Sequence, residues 1–223
     1  MTNLQTTPLT IPDAPDILLL RHGETQWNRH GRYQGQLDSP LTLTGIGQIR
    51  AVAETLRSQI EATPNLCIWS SPLTRTRQSV SILCEQLNLD YSAIQFDDRL
   101  KERNFGRWEG LTRDEINAQF PKDVEHEQND RWSFNIPDGE SYADVEKRLR
   151  HWIAELDISV SILVMAHGAS GRVLRGLCTE QSPQNIFAFN DPQSSPFLYQ
   201  TVNLKHSRLN QNTSFHSAAR TVD

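Results

Sequence analysis

Two short apolar runs, Ile17-Leu18-Leu19-Leu20 and Ile162-Leu163-Val164-Met165, each lead into a histidine followed by a glycine: Arg21-His22-Gly23 after the first and Ala166-His167-Gly168 after the second. Runs this apolar, without alternation, belong to strands covered on both faces, which points to a parallel sheet flanked by helices. The carboxyl ends of parallel strands open on a common crevice, where ligands bind in folds of this type. The echo therefore predicts that His22 and His167, far apart in the chain, meet at one crevice.

The rest of the pattern agrees with that frame. Leu66–Trp69 and Ala93–Phe96 read as further strands. Between the strands lie helical periods. Thr44 is placed to cap a helix carrying Ile46, Ile49, Val52, Leu56 and Ile60, and a helix from Thr74 aligns Val80, Leu83 and Leu87. Ser141–Leu156 and a segment starting near Ala169 supply two more. The expected fold class is α/β, a three-layer α/β/α sandwich with a mostly parallel central sheet. The stretch 111–139 has no strand signal and is rich in charge and aromatics; it is expected to be a cap insertion over the C-terminal strand ends. Residues 16–206 are expected to form a single domain, after a loosely ordered lead-in at 1–15 and before a poorly ordered tail at 207–223.

Composition narrows the class of partner. With a net charge of -5 the chain has no general attraction for nucleic acid or an anionic membrane, so any anion site must gather its arginines locally. Cys67, Cys84 and Cys178 are scattered among apolar neighbours, as reduced core thiols are, and a cytoplasmic setting is expected. No apolar run approaches the roughly 20 residues of a membrane span. No cluster of ligand-spaced Asp and His accompanies the candidate site, so neither metal nor cofactor is expected. The oligomeric state is open between monomer and homodimer.

A histidine at a strand end, with Gly23 allowing a tight turn, can present its ring to a substrate. Neutral imidazole attacks phosphorus directly, and neighbouring cations such as Arg21 lower its pKa by like-charge repulsion. Standing alone, such a histidine is more often a strand end that merely makes a surface hydrogen bond. Downstream, Ser71-Pro72-Leu73-Thr74-Arg75-Thr76-Arg77 turns a strand into a helix, and an arginine in that first turn, Arg75 rather than Arg77, can meet a phosphate with its planar fork.

Four elements in order resemble the histidine phosphatase superfamily, and within it the phosphoglycerate mutase-like branch of broad-specificity phosphatase type. They are Arg21–Thr25, Ser71–Ser79, Leu100-Lys101-Glu102-Arg103-Asn104-Phe105-Gly106-Arg107-Trp108-Glu109-Gly110 and Ala166–Gly168, within a similarity running from about Ile17 to Leu177. The resemblance implies a phosphohistidine on His22 and a phosphoryl group held by Arg21, Arg75 and His167. Asn28, Gln34, Gly35 and Gly168 match positions around that group, and Glu102 matches the general acid and base. Burial and a neighbouring carboxylate such as Glu109 are expected to keep a proton on Glu102. Arg172 and Arg175 either line the rim or face solvent. Glu140, just before a helix, either complements the helix start or borders an anion site there.

The implied substrate is a small phosphorylated metabolite. Acidic residues of the cap (Asp114, Glu115, Asp123, Glu125, Glu127, Asp130) outnumber Arg113, Lys122 and Arg131, which argues against holding a doubly phosphorylated intermediate and for water as the acceptor. The alternatives are a 2,3-bisphosphoglycerate-dependent phosphoglycerate mutase, a fructose-2,6-bisphosphatase-like sugar phosphatase and, more remotely, a non-catalytic binder of phosphoprotein.

Overall fold

A computed structural model describes residues 17–63, 65–188 and 200–202. The elements in chain order are β1 (Ile17–Arg21), α1 (Gln26–Arg29), α2 (Leu43–Glu61), β2 (Leu66–Ser70), α3 (Thr74–Leu87), β3 (Gln95–Phe96), α4 (Arg113–Gln119), α5 (Pro121–Asn129), α6 (Tyr142–Ile153), β4 (Ser161–Ala166), α7 (Gly168–Cys178) and β5 (Gln200–Val202). The expected lead-in and the tail from residue 207 lie outside the described residues.

Two separate cores explain the continuous apolar runs. Side chains alternate across a strand, so Ile17 and Leu19 of β1, with Ile162 and Val164 of β4, pack under Val145, Leu149 and Trp152 of α6 and Val173 and Leu177 of α7. Leu18, Leu20, Leu163 and Met165 face the other way, onto Ile49 and Leu56 of α2 and Val80 and Leu83 of α3. Helices on both faces make the expected three-layer sandwich. The sheet order is β3-β2-β4-β1-β5, with only β5 antiparallel.

The register of β1 on β4 is the part that builds the site. Ile17 pairs with Ile162 and the rungs continue to Arg21 opposite Ala166. One step further, the His22 amide donates to the Ala166 carbonyl at 3.1 Å. His22 and His167 leave the sheet together, with ring centroids 5.2 Å apart.

Three local expectations are corrected. The side chain that caps α2 is Thr42, which accepts from the Gly45 amide, and Thr44 lies inside the helix. The third strand shrinks to two residues because Tyr91–Ala93 close a 3-10 turn capped by Asp90. Gly23 has no left-handed backbone. It is needed because α2 approaches so closely that a Cβ there would strike the Gly45 carbonyl. The cap contains α4, started by a capping box between Thr112 and Glu115, and α5, with Pro121 in its first turn. Its small core is Trp108, Ile116, Val124 and Ile136. Among the described residues no helix is long and apolar enough to cross a membrane.

Candidate active site

His22 is 3 % exposed, and its Nδ1 lies 2.8 Å from the Gly23 carbonyl oxygen. A carbonyl only accepts, so in the neutral ring the proton sits on Nδ1 and Nε2 keeps its lone pair. Burial holds the His22 pKa well below its ordinary value, and the charges of Arg75 and Arg21 push it further down. The sequence pointed to the cations; the larger cause is desolvation. The loop carrying His22 is fixed on two sides. The Gly23 amide donates to Ser79 Oγ of α3 at 3.0 Å, and the Glu24 amide to Gln48 Oε1 of α2 at 2.9 Å.

His22 opens into a cavity of about 480 Å³. Of the residues expected there, Arg21, Asn28, Gln34, Gly35, Arg75, Glu102 and Gly168 line it. His167 does not. Its ring sits beside that of His22, 2 % exposed, with Nε2 at 2.7 Å from Ser71 Oγ and Nδ1 without a hydrogen-bond partner. Its pKa is also held well below the ordinary value, by burial first and then by Arg75.

Arg75 is 1 % exposed, and its fork is gripped from one side. Nη1 donates to the Leu37 carbonyl and to Asp38 Oδ1, both at 2.8 Å, and Nη2 donates to the Gly35 carbonyl at 2.6 Å. Asp38 Oδ2 also accepts the Thr74 amide at 2.7 Å, so it caps α3 from a distant loop where Leu73 offers no side-chain cap. Gly35 adopts a φ of 54°, and a Cβ there would overlap the Glu109 carboxylate. Gly168 leaves room for the Arg21 guanidinium, whose Cζ would lie 3.2 Å from an added Cβ.

Glu102 is 7 % exposed and faces the first turn of α7. Its Oε1 accepts the amides of Arg103 (2.9 Å), Ala169 (3.1 Å) and Ser170 (2.9 Å), while Oε2 shares only that of Ala169 (3.0 Å). Oε2 is thus the less saturated of the two oxygens. Glu109 accepts the amides of Gln36 and Phe105 and braces the loop that carries Gly35. Asn28 lends its Oδ1 to the Thr25 amide as part of the capping box of α1.

The outer wall contains residues with no assigned place in the sequence reading. Arg103 stacks over Tyr142 at 4.3 Å, and Arg131 over Phe187 at 4.3 Å. Arg172 lines the cavity, whereas Arg175 is buried beneath it and donates to the Ile186 carbonyl. Glu140 bonds the Asn104 amide and Arg148 rather than the start of α6, which Ser141 and Asp144 cap. Trp27 is absent from the cavity wall and Trp108 anchors the cap core.

Three of the cap's six acidic side chains are ion-paired, and of the six only Glu127 lines the cavity. Asp123 pairs with Arg107, Glu127 with Arg113 and Glu115 with Arg32. The cavity is lined by six arginines (21, 32, 75, 103, 131, 172) against Glu24, Glu102 and Glu127. The composition of the cap was therefore a poor guide to the charge a substrate meets. Among the described residues no group of three or more His, Cys, Asp or Glu is arranged to hold a metal ion. Cys67, Cys84 and Cys178 are free thiols, and burial pushes Cys84 up to about 11 and Cys178 up to about 12.

Comparison with known proteins gives a consistent outcome. Residues 17–198 match the histidine phosphatase superfamily (branch 1). A 6-phosphofructo-2-kinase/fructose-2,6-bisphosphatase of Caenorhabditis elegans is 35% identical over 153 residues, covering 69% of this chain and 32% of that protein. This chain spans only about a third of that relative. A 2,3-bisphosphoglycerate-dependent phosphoglycerate mutase of Azorhizobium caulinodans is 29% identical over 188 residues, covering 82% of this chain and 90% of the relative. The solved structure of a mycobacterial glucosyl-3-phosphoglycerate phosphatase with VO3 superposes with a TM-score of 0.67 at 30% identity, covering 79% of this chain and 88% of that one.

Proposed function

Because this chain belongs to the histidine phosphatase superfamily (branch 1), and so is an enzyme of phosphoryl transfer, we propose that it hydrolyses a small phosphomonoester through a phosphohistidine on His22. The observation that carries the reading is the neutral His22 ring, its Nδ1 tied to Gly23 and its Nε2 free beside the arginines of the cavity. Nε2 attacks phosphorus as the ester P–O bond breaks, and Glu102 Oε2 gives its proton to the departing oxygen. In the second step the same oxygen takes a proton from water as water displaces the phosphoryl group from His22. Arg21 and Arg75 neutralise the equatorial oxygens, with Asn28, Gln34 and the backbone at Gly35 and Gly168 around them. His167 contributes through Nδ1, once the Ser71 hydroxyl, which accepts the Leu73 amide, donates to Nε2. No step calls for a metal ion.

A second reading is favoured by the arginine-rich outer wall. Arg131 and Arg172 fit a substrate whose retained part is itself anionic. The mutase and bisphosphatase relatives take such substrates by name, and the similar phosphatase is named for glucosyl-3-phosphoglycerate.

Incubation with an aryl phosphate in EDTA, quenched in alkali, is expected to leave an acid-labile phosphate on His22. Its absence, together with His22→Ala turning over like the parent, sinks the mechanism. A panel of phosphorylated metabolites with and without 2,3-bisphosphoglycerate then separates the acceptors. Release of inorganic phosphate marks hydrolysis, and bisphosphoglycerate-dependent isomerisation without release marks the mutase.

A further inference from the structure

A proton donor must be held to a fraction of an ångström, yet Glu102 sits in neither helix nor strand. Its loop is held from outside. Arg148, on α6, donates from Nη1 to the Arg99 carbonyl at 2.5 Å and from Nη2 to the Glu102 carbonyl at 3.2 Å. Its Nε and Nη2 also bracket the Glu140 carboxylate at 2.9 and 3.1 Å. Glu140 grips the chain on the far side of Glu102. Its Oε2 accepts the Asn104 amide (2.9 Å), its carbonyl accepts Arg103 Nε (2.7 Å), and its amide donates to the Asn104 carbonyl (2.8 Å). One planar guanidinium thus fixes the backbone at residues 99 and 102 directly, and at 104 through the Glu140 carboxylate.

Arg148 is absent from the cavity wall, and its contact with Glu102 is to the carbonyl rather than the carboxylate. It cannot donate the proton itself. We infer that Arg148 is a positioning residue for proton transfer: through the Arg148–Glu140 bracket it sets where Glu102 Oε2 stands relative to the leaving oxygen. The inference rests on the assignment of Glu102 as the proton donor. Lysine cannot replace the fork, because a single ammonium has no planar set of donors to span two carbonyls and both oxygens of Glu140.

The leaving group provides a readout that a merely structural role would leave unchanged. A p-nitrophenolate departs without a proton, whereas the alkoxide of glycerol phosphate needs one. Arg148→Lys is expected to lower kcat/KM for glycerol phosphate about 10- to 100-fold and for p-nitrophenyl phosphate less than about 3-fold. Arg148→Met should show the same selectivity more strongly; if it does not fold, Arg148→Lys alone carries the test. Equal losses on both esters, or no loss on either, overturn the inference. Glu102→Ala is measured alongside. If it shows no selectivity between the esters, the proton-donor assignment itself falls; if it is selective while Arg148→Lys is not, only the positioning role falls.

Discussion

His22 and His167 are neutral in the folded protein chiefly because they are buried, and that ties the site to stability. Each unfolded ring titrates near 6.5, above its folded value, so below pH 6.5 the unfolded state binds more protons. The stabilisation is complete above that pH and is lost as pH falls through it, by about 1.4 kcal/mol per pH unit for each ring. Urea midpoints measured from pH 7 to pH 5 should decline accordingly, and His167→Gln should flatten the slope by one proton. Asp38 is the other residue with a decisive partner. Asp38→Asn takes away the carboxylate paired with the buried Arg75 guanidinium and should cost about 1–3 kcal/mol in urea unfolding and about tenfold in kcat/KM. The sequence displayed His22, Arg75 and Glu102 because they sit in short motifs beside glycines and strand ends. It hid Asp38 and Arg148, and the bond of Ser71 to His167, because these partners are set by packing between segments with no common period.

Among the elements, α2 shows how two glycines in one helix have opposite meanings. A Cβ on Gly45 would strike the Glu24 carbonyl, so Gly45→Ala should cost about 1–3 kcal/mol and displace the loop next to His22. Gly47 has nothing within 4 Å of an added Cβ and is exposed, so Gly47→Ala should stabilise by about 0.5–1 kcal/mol. Thermal melts of the two variants should therefore move in opposite directions. Long elements were legible in the chain: the doubly covered strands β1 and β4 and the periodic helices α2, α3 and α6 fall within a few residues of expectation. The cap helices were not, because α4 and α5 are short and bury little beyond Ile116 and Val124, too few positions to establish a period. The cap of α2 was misplaced by two residues, since two threonines precede the apolar pattern and only the close approach of Glu24 selects Thr42, whose Oγ1 donates to Glu24 Oε1 at 2.6 Å.

At the scale of the whole molecule, a chain of net charge -5 keeps a cavity in which arginines outnumber glutamates. Inorganic phosphate should bind the folded form alone and raise its stability, by about 2.7 kcal/mol at a hundred times its Kd. Scanning calorimetry should show the rise in the parent and a smaller one in Arg75→Ala. The sheet order has a further consequence, for synthesis. β1 and β2 do not pair with each other; β4, nearly the last strand made, lies between them and joins the two halves. It is followed at once by His167 and by the α7 amides that hold Glu102. While the chain is still emerging from the ribosome, the nucleophile exists without a sheet to stand on, and a fragment ending at Asp157 should unfold without a cooperative transition. Catalytic competence is thus expected only after both β4 and the first turn of α7 have been made.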